Sequence, residues 1–299
     1  MDIQWFPGHM AAARKGIAQS LAHIDLVIEL CDARIPGTSR NPLLQALRLA
    51  RQRPVLLLLN KSDLADPRST QLWLAHWSAQ PGLSALAVSC RKPGGSARII
   101  AACKRLAPHR NTPDKPLRIM IAGIPNVGKS TLINILAQQR LARVGDEPAI
   151  TKSQQRIDLS SQISLLDTPG LLWPKIDHPE DGWRLAATRA IGILAVPERE
   201  VALALIGYVH RTYPKTLSDR YAIDPQFSGG CEDILDHIAR YRGCLLRGGI
   251  LDTLKAARLV LDDFRTGTLG RISLETPTSL STRIPVAQTP DEDIVQRPL

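Results

Sequence analysis

Three things are scarce in this 299-residue chain, and each scarcity removes a class of protein. Cysteine is the first: Cys31, Cys90, Cys103, Cys231 and Cys244 are odd in number and form no Cys-x-x-Cys pair. Neither a disulfide framework nor a structural zinc site fits that pattern, so reduced thiols in packed positions are expected. Long apolar runs are also missing. Nothing approaches the roughly 18 consecutive apolar residues of a membrane helix. Met1 to Met10 carries polar residues and a proline where a secretory leader needs an apolar run. A soluble, cytoplasmic protein is the expectation, with neither a membrane nor DNA as a partner.

Acidic residues are the third scarcity, and the deficit is uneven. Residues 1–180 hold 23 Lys and Arg against 13 Asp and Glu, whereas residues 181–275 hold 13 against 12. The densest basic run is Arg91, Lys92, Arg98, Lys104, Arg105, Arg110, Lys115 and Arg118, with Asp114 the only acid among them. Such a run is either a footprint for a polyanion or an ordinary solvated helix face.

What is present is enough apolar residue, 44%, for a packed core and a second unit. Apolar runs at Leu26 to Cys31, Val55 to Leu59, Leu86 to Val88, Ile119 to Ala122 and Ile163 to Leu166 are mostly separated by helix-length segments, the α/β pattern. An unbroken run such as Val55 to Leu59 suits a strand buried on both faces of a mainly parallel sheet. Gln155 to Leu159 and Ile163 to Leu166 predict a hairpin at a sheet edge. Beyond Pro179 strand signals stop, and periodic stretches at Asp233 to Tyr241 and Gly249 to Phe264 predict a smaller helical domain. The expected division is residues 1–180, 181–275, and a proline-bearing tail from Thr276 that is poorly ordered. Within the first part, 1–107 and 117–180 are two halves joined by a linker, 108–116. No internal repeat is found.

Gly123, Ile124, Pro125, Asn126, Val127, Gly128, Lys129 and Ser130 have the spacing of a phosphate-binding loop, directly after a strand and before the helix-forming Thr131 to Ala137. The glycines let backbone N–H groups face a β-phosphate at a helix N-terminus, Lys129 reaches the β and γ oxygens, and the Ser130 hydroxyl suits magnesium. Asp167, Thr168, Pro169 and Gly170 end another strand, where Asp167 can hold magnesium through water and the Gly170 N–H can sense a γ-phosphate. Between the two motifs Thr151 is the well-placed hydroxyl for a magnesium-touching switch loop, although a loop threonine is often a plain turn residue.

Asn60, Lys61, Ser62 and Asp63 follow the strand Val55 to Leu59. A carboxylate at Asp63 accepts both N1–H and the exocyclic amine of guanine, Asn60 braces the pocket and the Lys61 stem covers the ring. Adenine lacks both donors, a mismatch that can give discrimination on the order of ten-thousandfold, so GTP is favoured over ATP. Ser89 and Cys90, with Arg91 after them, end the next strand where a backbone N–H can meet guanine O6. The order is unusual: a conventional G domain runs from phosphate loop through switch loops to base recognition, and here base recognition comes first. The same sheet forms if the old termini are joined through residues 108–116 and the chain is cut after Gly170. The segment leaving the switch then runs through Leu171, Leu172, Trp173 and Pro174 into the helical part, and the new N-terminus, Trp5 to His9, is released on the same side.

With these motifs, Trp5 to Met10, Asp32 to Pro36, Ser39 to Pro42, Leu172 to Pro174, Arg242 to Cys244 and Gly248 to Gly249 resemble the bacterial YlqF/RbgA family of circularly permuted ribosome-assembly GTPases across almost the whole chain. The resemblance implies a P-loop GTPase domain, circularly permuted, followed by a small all-α C-terminal domain. It implies GTP hydrolysis with Mg2+, coupled to late maturation of the large ribosomal subunit and stimulated by the particle. It also implies that the helical domain touches ribosomal RNA, for which Arg240, Arg242, Arg247, Lys255 and Arg258 are the local cations. Leu171 stands where many GTPases place a water-orienting Gln, and His9 is the family's candidate for that role. On its residues alone, His9 beside Pro7 and Gly8 fits a structural hydrogen bond as well as catalysis. Asn126 resembles the loop Asn that holds potassium in potassium-stimulated members, or caps the loop. Ala149 replaces the family's usual Gly in the switch I segment, which changes its backbone freedom. An RNA-binding GTP clamp without appreciable hydrolysis, and a GTPase of tRNA modification or signalling, share the nucleotide motifs.

Overall fold

A computed structural model of the chain describes residues 16–91, 95–110, 112, 114–137, 155–160, 162–167, 178–192 and 196–281. Six strands form one sheet: β1 (Leu26–Asp32), β2 (Val55–Asn60), β3 (Leu83–Ala87), β4 (Leu117–Gly123), β5 (Gln155–Ser160) and β6 (Ile163–Asp167). The order across the sheet is β3-β2-β1-β4-β6-β5. All pairs are parallel except the β5–β6 hairpin at the edge. Counted from β4 and wrapped round to β3, the order becomes 2-3-1-4-5-6, that of a G domain begun at its phosphate-loop strand.

The central strands are apolar on both sides because helices cover both sides. Alternate residues Leu26, Ile28, Leu30, Ile119 and Ile121 face a core completed by α4 (Gly95–Leu106) and α5 (Lys129–Ala137). Val27, Val55, Leu57, Leu59, Met120 and Ala122 face the other core, with α1 (described over residues 16–22), α2 (Pro42–Ala50) and α3 (Pro67–Ser78). Both α2 and α3 start on a side-chain cap followed by proline. Asn41 accepts from the N–H groups of Leu43 and Leu44, and Asp66 accepts from that of Arg68.

Helices α6 (Pro179–Ala187), α7 (Glu198–Thr212), α8 (Pro214–Tyr221), α9 (Cys231–Tyr241) and α10 (Thr253–Thr266) follow the sheet. Their buried residues, among them Leu205, Ile206, Ile238, Val260 and Phe264, form one continuous cluster with the α4/α5 face of the sheet. The expected boundary at residue 180 falls inside the first turn of α6. The helix predicted from Gly249 begins only at Thr253: Gly248 and Gly249 hold φ of 82° and 81°, which a helix cannot include, and Asp252 caps the start by accepting from the Lys255 N–H. The tail expected to be poorly ordered from Thr276 instead opens with a short helix, α11 (Pro277–Ser281), whose Leu280 packs on the core beside α3. That leucine supplies the apolar anchor that composition alone obscured. Residues 282–299 lie outside the described ones. The five cysteines are free, as expected.

Candidate nucleotide site

The motif residues that the structure describes meet at one edge of the sheet, at the carboxyl ends of its parallel strands. There the chain order reverses between β1 and β4, the position where open α/β sheets form their ligand crevice. The phosphate loop links β4 to α5, so its N–H groups lie at a helix N-terminus. Asn60 ends β2, Lys61 to Asp63 follow it, and Ser89 and Cys90 follow β3.

At the phosphate loop, Asn60 and Lys61 join the base-recognition half to the phosphate half. The buried Asn60 amide donates from Nδ2 to the Val127 carbonyl at 2.8 Å, and its Oδ1 accepts from the Cys90 N–H at 3.0 Å. Gly128 lets that amide approach: its φ is 105°, and a Cβ there would lie 2.4 Å from Asn60 Nδ2. Lys61 Nζ donates to the Asn126 carbonyl at 2.8 Å and pairs with Asp32 at 3.1 Å. Burial opposes ionisation of Asp32, but Arg34 and Lys61 outweigh it and hold the carboxyl well below the usual carboxylate range. For Lys61 burial is the larger influence and lowers the ammonium from its ordinary value, with Asp32 opposing.

Asp63, two residues beyond Lys61, is half-buried, with no hydrogen bond or ion pair to any described residue, an acceptor left available to a base. The Ser89 hydroxyl is buried without a hydrogen-bond partner among the described residues. Lys129, also buried, donates to Gly123 and Ile124 carbonyls of its own loop, each at 3.1 Å. Ser130 and Thr131 lie partly exposed in the first turn of α5. Asp167 ends β6 in register with Ile121, two residues before the loop. The Ser130 and Asp167 positions thus stand at the same edge, and both residue types carry hard oxygen donors of the kind Mg2+ prefers. His9, Thr151, Gly170 and the segment Leu171 to Pro174 lie outside the described residues.

Sequence reasoning missed the contacts that tie this site to the helices. Arg34 is buried, donates to both Asp32 carboxylate oxygens (Nε 2.9 Å, Nη2 2.8 Å), and lies 4.8 Å over the Phe264 ring. Asn126, at φ 55°, donates from Nδ2 to the Arg189 carbonyl just beyond α6. Glu275 is fully buried, accepts from the N–H groups of Gly37 and Thr38 after β1, and shares the Thr38 hydroxyl with Asp181 of α6. One visible signal existed: Glu29, a charge inside the apolar run Leu26 to Asp32. It is buried and accepts from the Asn41 N–H, with Arg40 beside it.

The five helical-domain cations are not five free charges. Arg240 pairs with Asp236 at 3.8 Å, Arg242 with Asp263 at 3.9 Å and Arg258 with Glu198 at 2.6 Å, while Arg247 and Lys255 are exposed. In the basic run, Arg110 and Arg118 both pair with Asp25, and Arg91, Arg98, Lys104 and Arg105 are exposed.

Comparison with known proteins agrees with this geometry. A family described as 50S ribosome-binding GTPase matches residues 118–216, a span that starts at the phosphate-loop strand and leaves the base-recognition half ahead of it. Ribosome biogenesis GTPase A of Bacillus cereus is 41% identical over 284 residues, covering 93% of this chain and 95% of that protein. Mitochondrial ribosome-associated GTPase 1 of Mus musculus is 36% identical, covering 91% and 90%. The GNP-bound structure of YlqF from T. maritima superposes with a TM-score of 0.63 at 25% identity, covering 90% of this chain and 99% of that one.

Proposed function

Because the chain belongs to the YlqF/RbgA family of ribosome biogenesis GTPases, and is itself a GTPase with a circularly permuted G domain, we propose that it acts as a switch on an assembling ribosome. It binds a late precursor of the large subunit in the cytoplasm, promotes its maturation, and hydrolyses GTP to GDP when the particle stimulates it. The observation that carries this reading is the joint at the phosphate loop. Asn60 and Lys61 hold the carbonyls of Val127 and Asn126, and Asn126 in turn holds the Arg189 carbonyl beyond α6, so one short loop touches base recognition and the helical part together. A change at the γ-phosphate then has a direct route to the helices, the requirement for a two-state switch.

In this reading Asp63 accepts from guanine, with Asn60, Lys61, Ser89 and Cys90 around the base. Residues Asn126 to Thr131 and Gly170 hold the phosphates, with Lys129 and Gly170 at the reacting γ-phosphate. Ser130, Thr151 and Asp167 hold Mg2+, whose charge offsets that developing on the phosphate oxygens. Asn126 also contributes to a potassium site. His9 orients the attacking water in the place that Leu171 cannot fill. Arg247 and Lys255, with Arg240, Arg242 and Arg258 once their carboxylate partners are exchanged for phosphates, contact ribosomal RNA.

The test is GTP turnover and cosedimentation with immature and mature large subunits, under a non-hydrolysable GTP analogue and under GDP. Preferential binding of the analogue form to immature particles, with faster turnover, is expected; binding indifferent to nucleotide contradicts a switch. His9→Ala is expected to keep GTP binding and lose particle-stimulated turnover, and full turnover in that variant rejects the role of His9.

A further inference from the structure

The turn that carries Asp63 is held from outside the sheet. After α10 the chain reverses at Gly267, φ 83°, against the Leu64 side chain, and residues 267–275 run over the base-recognition loop. Three carbonyls of residues 62–65 accept hydrogen bonds from this strap. Arg271 Nη2 donates to Ser62 O at 2.9 Å and Arg271 Nε to Ala65 O at 2.9 Å, while the Ile272 N–H donates to Leu64 O at 3.1 Å. The next N–H, that of Asp66, donates to Ser273 Oγ at 3.1 Å. Asp63 sits inside this frame.

We infer that Arg271 is a positioning residue for guanine recognition: its guanidinium fixes the turn 62–65 so that the Asp63 carboxylate meets both donors of the base. The inference rests on Asp63 reading guanine, as proposed above. Arginine suits the task because a planar fork reaches two carbonyls at once, whereas a lysine ammonium on one flexible stem does not hold both in a fixed geometry. Among the described residues no carboxylate pairs with Arg271, so its donors go to the loop. Because the strap is continuous with α10, whatever shifts the helices also shifts guanine affinity, and by linkage bound guanine nucleotide stabilises the strap.

The test compares binding of GDP with that of inosine diphosphate, whose base keeps N1–H but lacks the exocyclic amine. Arg271→Ala is expected to weaken GDP binding about 5- to 30-fold, the equivalent of 1–2 kcal/mol, and inosine diphosphate binding by clearly less, so that the preference for guanine narrows. Arg271→Lys is expected to fall between, and it carries the test alone should the alanine variant not fold. A merely structural role lowers thermal stability and weakens both nucleotides equally; an unchanged preference in a folded variant overturns the inference. Asp63→Ala is the control: if it keeps the wild-type preference for GDP over inosine diphosphate, the reading of Asp63 itself fails, a result distinguishable from failure at Arg271.

Discussion

Replacing Asn60 by alanine removes a side chain that, like Lys61, bonds both halves of the nucleotide site. The Val127 carbonyl loses a donor at 2.8 Å and the Cys90 N–H an acceptor at 3.0 Å. A buried backbone group left without a partner costs about 1–3 kcal/mol. Val127 is buried and Cys90 half-buried, so water relieves part of the second loss; the expected total is about 2–4 kcal/mol. At about 2–4 °C per kcal/mol for a chain approaching this size, thermal unfolding should fall by roughly 5–15 °C. Loosening of Val127 and Gly128 should also weaken GDP binding by about tenfold or more, a loss of about 1.4 kcal/mol. Gly128→Ala probes the same joint from the other side, since its Cβ would stand 2.4 Å from Asn60 Nδ2. If the contact is as described, that substitution is less harmful in the Asn60→Ala background, where the clash is gone and only the backbone strain at φ 105° remains. Calorimetry and fluorescence titration of GDP measure both effects. A stability change below about 0.5 kcal/mol in Asn60→Ala with GDP affinity intact, or simple addition of the two costs, contradicts a joint at Asn60.

Further expectations concern the domain contact and the metal. Burial raises the Glu275 carboxyl from its ordinary 4.5 to about 7, with the Thr38 hydroxyl and N–H opposing. The folded protein therefore keeps a proton that the unfolded chain has already released: this contribution is fully present below pH 4.5 and lost as pH rises through about 7, to about 3 kcal/mol at most. Glu275→Gln, which mimics the protonated acid, should flatten this slope and be more stable than the parent at pH 8; an unchanged slope in urea titrations from pH 5 to 8 counts against it. Ser130→Ala should make GDP affinity insensitive to Mg2+ over a titration against EDTA, whereas an undiminished Mg2+ effect removes Ser130 from the metal site.

The strands were legible because Val55 to Leu59 and Ile119 to Ala122 are unbroken apolar runs, and burial on two faces needs just that. The phosphate loop and Asn60 to Asp63 were legible because backbone geometry at a phosphate, and hydrogen bonding to a base, each tolerate few residue types at fixed spacing. The contacts of Arg34, Asn126 and Glu275 were not. Each bonds to backbone atoms of remote elements, Phe264, Arg189 and Thr38, and a carbonyl or N–H leaves no mark on the sequence of its partner. The late start of α10 was hidden for a related reason: Ile250 and Leu251 continue the apolar pattern, yet the left-handed Gly248 and Gly249 and the extended Ile250 keep the helix from starting there. Charge counting likewise could not show that Arg242 and Arg258 already face Asp263 and Glu198.

Equilibrium competition among purine nucleotides probes most directly whether two distant stretches of this rearranged chain build a single pocket. Xanthine carries an acceptor where guanine carries its exocyclic amine, so an amide in place of the Asp63 carboxylate matches xanthine better. The parent protein should prefer GTP to ATP and to xanthosine triphosphate, and Asp63→Asn should turn that order towards xanthosine triphosphate while the phosphate loop still binds. The same ranking of all three nucleotides before and after the substitution would contradict the account.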